Sequence, residues 1–499
     1  MRWNYWLTPK LKKIISLNEV IEKFDVARFL NNNVRPAIGC TEPIAVAFAS
    51  SVAYSAIFNQ LPYLDKDHQI HFSNATSLPK IDPTQVKSIE IKTDRDVYKN
   101  SWAVNIPNTN GQKGMQIAAV LGIFALPYHK FNILKNIDKD DIFAAKLIMD
   151  SGKVMVNKVT DSGEKSALHI EVKVTYEING KNRSATVIIE NDHEHISRIM
   201  VGDRVVFNNP PKKTVSFIDK IPETLEAMLA ILDQLPPNII NELYRGIEMN
   251  LLMADQGLKE DYGLKYGRLL AGSPNQKYSV ADILNKNLPL QDKVEIIAGA
   301  AGDARMGGAP FPVMSTAGSG NQGITALIPV AVAGIATNKS KEQIAKAALL
   351  SHFVTKLCAE YSGYLSALCG CAIKAGLGAS AAVTYLLGGT IDQISKAMNL
   401  TAANITGIIC DGAKEGCAMK LATAARASTV SALAALDGVK VASNNGIIHE
   451  NAIDTIKYAL EPISKNMVAL DTAIVNIMQR KGGTKGICSD CSNCGACKL

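Results

Sequence analysis

Near residue 219 the apolar pattern switches from a period of two to the helical period and stays there, and nothing else in the chain limits its fold as much. Downstream, PETLEAMLAILDQL, NIINELYRGIEMNLLMADQG, DKVEIIAGAAGDARM, KEQIAKAALLSHFVTKLCAEY and ENAIDTIKYALEPISKNMVALDTAIVNIMQR all repeat at helical spacing. Small residues are dense among them, which lets helices approach closely. Upstream, VKSIEIKTD, GKVMVNKVT, ALHIEVKVTYEI and RSATVIIEN alternate apolar and polar residues as half-buried strands do. Asn110-Gly111 and Asn179-Gly180 supply turn signals, and MQIAAVLGIFAL reads as a helix among the strands. A chain of 499 residues is too long for one simple core. The expected fold class is α+β: a mainly helical domain with an inserted α+β module. The divisions predicted are 1–59, N-terminal helices that pack on the helical domain and carry Cys40; 60–218, the α+β module, closed by a linker at NNPPKKTVSF; 219–481, the helical domain; and 482–499, a Gly/Ser/Cys-rich tail.

Charge and hydropathy remove several classes of function. The net charge is +7, but lysines are scattered among acids rather than gathered in a basic stripe, so no nucleic-acid partner is expected. The first residues, MRWNYWLTPKLKKIIS, lack the continuous apolar core of a secretory signal. Apolar runs such as ITALIPVAVAGIA are too short to span a bilayer, and the longer LSALCGCAIKAGLGASAAVTYLLGG carries Lys374 and many glycines. No membrane partner and a cytoplasmic location are therefore expected, with a homodimer as the default assembly. In that compartment the ten cysteines stay reduced and point to metal or catalytic use.

Three stretches carry chemistry. In RPAIGCTEPIAVAFA, Cys40 stands at the threshold of a helix, with Thr41 as a good N-cap and Pro43 in the first turn. Unsatisfied N–H groups and the helix dipole there favour thiolate and lower the thiol pKa. A structural cysteine beside a tight turn fits the same local sequence. Second, ALCGCAIKAGLGAS holds Cys369 and Cys371, and GIICDGAKEGCAMK holds Cys410 and Cys417. Thiolates among glycines suit zinc or an iron–sulfur cluster, while no histidine stands near enough for Cys/His finger spacing. Four buried core cysteines are the plainer alternative. Third, GDARMGGAPFPVMSTAGSGNQGI places Ser319, Gly320, Asn321 and Gln322 in a loop ahead of an apolar helix, where free N–H groups bind carboxylate or phosphate. It is neither a Walker loop nor a dinucleotide fingerprint.

Together PAIGCTEPIAVAFA, DARMGGAPFPVMSTAGSGNQGI, LSALCGCAIKAGLGAS and ICDGAKEGCAMK resemble the L-cysteine desulfidase family, related to the iron–sulfur L-serine dehydratases. Four separated motifs in order make the resemblance specific, and it covers most of residues 18–480. It implies a [4Fe–4S] cluster held by three cysteines, and conversion of L-cysteine to hydrogen sulfide, ammonia and pyruvate without pyridoxal phosphate. By position, Cys371, Cys410 and Cys417 match the cluster ligands and Cys40 the proton acceptor. Cys369 remains an alternative to Cys371, whereas Cys358 matches nothing and reads as core. The small-molecule substrate would be gripped through its carboxylate by Ser319, Gly320, Asn321 and Gln322, with Ser315 and Arg305 as weaker candidates.

One departure from that family stands at the C-terminus. Cys488, Cys491, Cys494 and Cys497 form C-x2-C-x2-C-x2-C, which resembles a ferredoxin run without its usual ending. A second cluster or metal, a delivery arm, and a tail that catches metal adventitiously are all open readings. Among functions, L-serine ammonia-lyase activity differs from cysteine desulfidation by one atom of the leaving group. A pyridoxal-phosphate lyase using Lys356, Lys374, Lys414 or Lys420 would leave the cysteines unexplained. An iron–sulfur carrier is the non-enzymatic alternative.

Overall fold

The structure, a computed structural model, describes residues 24–66, 69–72, 78–109, 111–158, 168–210 and 221–481. The predicted linker at 208–217 falls mostly outside these residues, and the cysteine-rich tail falls outside them entirely.

Helix α1 (Val26–Asn33) is capped by Asp25, whose side chain accepts from the Arg28 N–H. The two-residue strand β1 (Pro36–Ala37) follows, then α2 (Thr41–Ile57), which is buried along almost its whole length. A small ribbon of β2 (Tyr63–Leu64) and β3 (Ile70–His71) precedes β4 (Val86–Thr93). Three helices come next: α3 (Arg95–Ser101), α4 (Met115–Phe124) and α5 (Lys139–Asp150). Strands β5 (Val154–Lys158), β6 (His169–Ile178), β7 (Lys181–Glu190), β8 (Ile196–Val201) and β9 (Arg204–Asn208) complete a six-stranded sheet in the order β5-β4-β6-β7-β8-β9. Only the β4–β5 pair is parallel.

The alternating strands turn Ile170, Val172, Val174 and Tyr176 of β6 toward α2, so that α2 and α4 cover one face of the sheet. The fit is close: a Cβ on Gly122 of α4 would lie 2.1 Å from the Ala47 carbonyl of α2. Thus α2 belongs to the core of the sheet module, whereas Phe29 and Leu30 of α1 pack into the helical body.

That body comprises α6 (Leu225–Leu232), α7 (Pro237–Lys259), α8 (Tyr266–Ala271), α9 (Val280–Asn285) and α10 (Leu290–Met306). Strand β10 (Val313–Met314) leads to α11 (Gly320–Ala336), α12 (Lys341–Ser362), α13 (Ile373–Leu386), α14 (Ile391–Ile405) and α15 (Cys417–Leu436). The described residues close with α16 (Ala452–Thr455), α17 (Glu461–Asn466) and α18 (Val468–Lys481). Helices α10, α11, α13 and α15 pack on one another, and the small residues between them make this possible. A Cβ on Gly302 of α10 would come within 2.8 Å of the Ala418 Cα of α15. The α+β expectation is met. The strand β1 pairs antiparallel with β10, Pro36 opposite Met314 and Ala37 opposite Val313. This short bridge ties the entrance of the sheet module to the loop ahead of α11. Among the described residues, no helix is long and apolar enough to cross a membrane.

Candidate active site

The β1–β10 bridge delivers Cys40 to the start of α2. Gly39, with φ +68°, makes the turn; a Cβ there would sit 2.7 Å from the Pro107 ring. The N-cap of α2 is Cys40 itself rather than Thr41, and its thiol makes no capping bond to the helix. Instead the thiol donates to Glu42 Oε2 at 2.9 Å. The same carboxylate accepts from Thr41 Oγ1 at 3.0 Å, and Asn100 Nδ2 of α3 donates to its other oxygen at 2.9 Å.

This arrangement reverses the expected electrostatics of Cys40. Burial first, and then the Glu42 carboxylate, raise the thiol well above its ordinary value, against a smaller pull from Arg305. A helix terminus lowers a thiol pKa when the thiol is open to it; here a buried carboxylate two residues on is nearer. Burial also works to raise Glu42, but His193 and the bonds from Cys40 and Thr41 outweigh it and hold the carboxyl below its usual range. The proton therefore rests on sulfur.

Facing Cys40 is the loop before α11. Ser315 donates both its N–H and its hydroxyl to the Arg35 carbonyl, and Ala317 and Gly318 turn the chain with positive φ. Ser319 caps α11 by accepting from the Gln322 N–H. Behind the loop, Thr316 Oγ1 meets Nδ1 of buried His352 on α12 at 2.7 Å.

The cysteines come from two further loops, zipped together. Cys369 N–H donates to the Ile408 carbonyl at 2.9 Å, and Cys410 N–H to the Ala367 carbonyl at 2.7 Å. Cys369 and Cys371 sulfurs lie 3.3 Å apart. Cys417 opens α15 and faces the Gly412 carbonyl at 3.6 Å. Gly412, at φ +92°, is pressed against the Lys99 carbonyl of α3, where a Cβ would lie at 2.3 Å. The Cys369–Cys371 hydrogen bond lets one of the pair ionise readily and holds the proton on the other. Burial, then the charge of Cys369, pushes Cys410 up to about 11 and raises Cys417, opposed by Lys99 and Lys414 respectively. Buried Lys374, lowered to about 8 chiefly by burial, also stands near these thiols. Cys358 is apart from them in the α12 core, where burial lifts it to about 12.

A single cavity of about 710 Å³ gathers these parts. Cys40, Cys369, Cys371, Cys410 and Cys417 all line it, with Ser319, Asn321 and Gln322. Gly320 does not; it packs on Arg305. Ser315 is also outside, while Arg305 lines the wall. The cavity thiols of the helical body that could hold a metal group are, among the described residues, those at 369, 371, 410 and 417. Among the described residues, no three His, Cys, Asp or Glu side chains are gathered as around a single ion.

The sheet module contributes more than the sequence indicated. Asp96, Asn100, Leu168 and the β7–β8 turn at Asn191, Asp192 and His193 complete the lining. Glu42 was visible in the CTEP motif but only as polar context. Asn100 and His193 carry no local signal, because only the fold of the sheet brings them to Cys40.

A family model described as the serine dehydratase alpha chain matches residues 130–476. The chain belongs to the serine dehydratase alpha chain family. Its matched segment includes all four cavity thiols of the helical body and the Ser319–Gln322 loop, while Cys40 precedes it. Relatives within curated proteins extend further. A UPF0597 protein of Desulfatibacillum aliphaticivorans is 33% identical, covering 92% of this chain and 98% of the relative. One from Clostridium perfringens is 34% identical over 91% of this chain and 97% of the relative. A third, from Geobacter sulfurreducens, is 32% identical over 91% and 98%. The family resemblance read from the four motifs is borne out at this level.

Proposed function

We propose that this member of the serine dehydratase alpha chain family is an iron–sulfur-dependent L-cysteine desulfidase, a carbon–sulfur lyase that forms hydrogen sulfide, ammonia and pyruvate by α,β-elimination. The observation that carries the reading is the convergence of Cys371, Cys410 and Cys417 with Cys40 on one cavity. The thiols fit an iron–sulfur group better than a lone ion. Four of them, Cys369, Cys371, Cys410 and Cys417, line one cavity, and iron–sulfur clusters are held by cysteine thiolates over several irons. Buried Lys99 and Lys374 beside them offset the negative charge that several thiolates bring. Cys371, Cys410 and Cys417 would hold a [4Fe–4S] cluster, with Cys369 at hand beside Cys371. When bound, the cluster supplies Lewis acidity that eases departure of the β-substituent.

The chain's own residues do the proton work. Cys40 passes its proton to Glu42, 2.9 Å away, and the thiolate then takes the α-proton of the substrate. Asn100 and Thr41 hold Glu42 charged in the resting site, so this transfer runs uphill from the resting state. The N-terminal turn of α11, Ser319 to Gln322, meets the carboxylate end of the substrate. Elimination leaves an aminoacrylate that tautomerises and hydrolyses to pyruvate and ammonia.

L-Serine ammonia-lyase activity is the second reading, favoured by the name of the matching family. Anaerobic purification with iron and acid-labile sulfide analysis, and side-by-side assays of L-cysteine and L-serine, separate the two. About four irons per chain are expected, lost in Cys410→Ala and kept when the chain stops at Arg480, together with sulfide release from L-cysteine. Faster turnover of L-serine would keep the site and change the substrate. Iron that leaves with the tail, and no lyase activity, would overturn both.

A further inference from the structure

Arg305 is buried, 4% exposed, and lines the cavity beside Cys40. Its guanidinium is held by neutral groups: Nη1 donates to Asn321 Oδ1 at 2.7 Å, and Nη2 to the Gly39 carbonyl at 2.5 Å. The Met306 sulfur stands 3.7 Å from Nη1, and the Nε donor has no acceptor. Among the described residues, no carboxylate pairs with it. A guanidinium carries five donors and a full charge, and a buried one without an anion is costly. The backbone around it is fitted to its shape, because a Cβ on Gly320 would lie 2.5 Å from Nε.

We infer that Arg305 is the carboxylate anchor of the cavity, and that it sets which way round a short α-amino acid lies there. The inference rests on the lyase reading for its substrate class. Arg305 grips the carbonyl of the residue preceding Cys40, so a carboxylate seated on it presents its α-carbon to the Cys40 sulfur. The opposite direction is fixed by the neighbouring residue on α11. Gln322 packs against Gly370, where a Cβ would lie 3.0 Å from Nε2, and Gly370 stands between Cys369 and Cys371. Its Oε1 is buried and unpartnered, an acceptor suited to an α-ammonium group. Asn321 and Gln322 are consecutive, with Cα atoms about 3.8 Å apart. Two adjacent residues of α11 therefore touch the guanidinium and the cysteine loop in one cavity, an arrangement that suits a short α-amino acid with its β-substituent toward the thiols.

The test compares L-alanine with L-alaninamide, unreactive probes that differ in the carboxylate, by calorimetry on the anaerobically purified holoenzyme. The wild type is expected to prefer L-alanine by about 10- to 100-fold, the worth of a charge-assisted bond pair. Arg305→Met should abolish the preference and Arg305→Lys should keep part of it, with iron content and far-UV dichroism reporting that each variant is folded. If Arg305→Met does not fold, the wild-type comparison and Arg305→Lys still decide. A wild type indifferent to the amide, or a folded Arg305→Met that retains the full preference, overturns the anchor. Preference for L-alanine without turnover of L-cysteine or L-serine would sink the lyase reading and leave the anchor standing; turnover without preference would do the reverse.

Discussion

Burial first and Glu42 second set the state in which Cys40 rests. Replacing Glu42 with Gln removes the charge that, after burial, most raises the thiol, so the pH midpoint for alkylation of Cys40 should move to lower pH. Site-resolved mass spectrometry after iodoacetamide pulses across a pH series measures this; an unchanged midpoint would mean that burial alone governs the sulfur. A second outcome concerns the neighbouring thiols. Cys371→Ser should strip iron from the anaerobic protein, whereas Cys369→Ser should keep most of it, both read by iron analysis. The reverse pattern would exchange their roles. Much of the cavity lining was legible in the sequence, since Cys371, Cys410, Cys417 and the GSGNQ loop stand in glycine-rich contexts and Cys40 at a helix threshold marked by Thr41 and Pro43. What was not legible is whatever arrives through the tertiary fold. Asn100 sits on a short helix with no motif, and the sign of the Cys40 pKa depends on a buried carboxylate whose orientation no local pattern gives.

At the scale of elements, α3 is the joint between the two bodies. Asn100 reaches Glu42, the Lys99 carbonyl backs Gly412, and Lys99 Nζ pairs with Asp471 of α18 at 2.6 Å, both side chains buried. Breaking a buried pair by removing one partner leaves an uncompensated charge. Lys99 Nζ also pairs with Asp96 at 3.3 Å, so Asp471→Ala should cost less in urea denaturation than the about 3–5 kcal/mol of a wholly uncompensated buried charge, and adding Lys99→Met should recover part of it. Equal losses for single and double variants would show that the pair is not what joins α3 to α18. Close packing gives another outcome: Gly122→Ala drives a methyl into the Ala47 carbonyl and should cost about 1–3 kcal/mol or more. The strands β4 to β7 follow from alternation, and α4 from its apolar run. Strands β8 and β9 were not read, although ISRIMV and RVVFN flank a Gly202 turn; each is short and mixed in polarity, and the pairing of β8 with β7 and of β9 with β8 supplies what local pattern does not. The packing of α2 under the sheet was equally hidden. A helix apolar all round states that it is buried, not by which neighbour.

For the molecule as a whole, acid stability hangs partly on His352. Burial holds this imidazole down to about 3 from its ordinary 6.5, so the native chain binds fewer protons than the unfolded one. The stability this contributes is present above pH 6.5 and is lost as pH falls from there toward 3, by about 1.4 kcal/mol per unit. Melting temperatures between pH 7.5 and 5 should fall less steeply in His352→Gln than in the wild type; parallel slopes would contradict this. The β1–β10 bridge has its own consequence, one of timing. Cys40 emerges early in synthesis and Cys417 late, and the ribbon, with the contacts of α3, draws them to one chamber. A ribosome therefore releases nearly the entire polypeptide before any part of that chamber has its opposite wall. Long-range closure of this kind is slow relative to local helix formation, so Cys40 joins the four thiols of the helical body only after the helices on either side have formed.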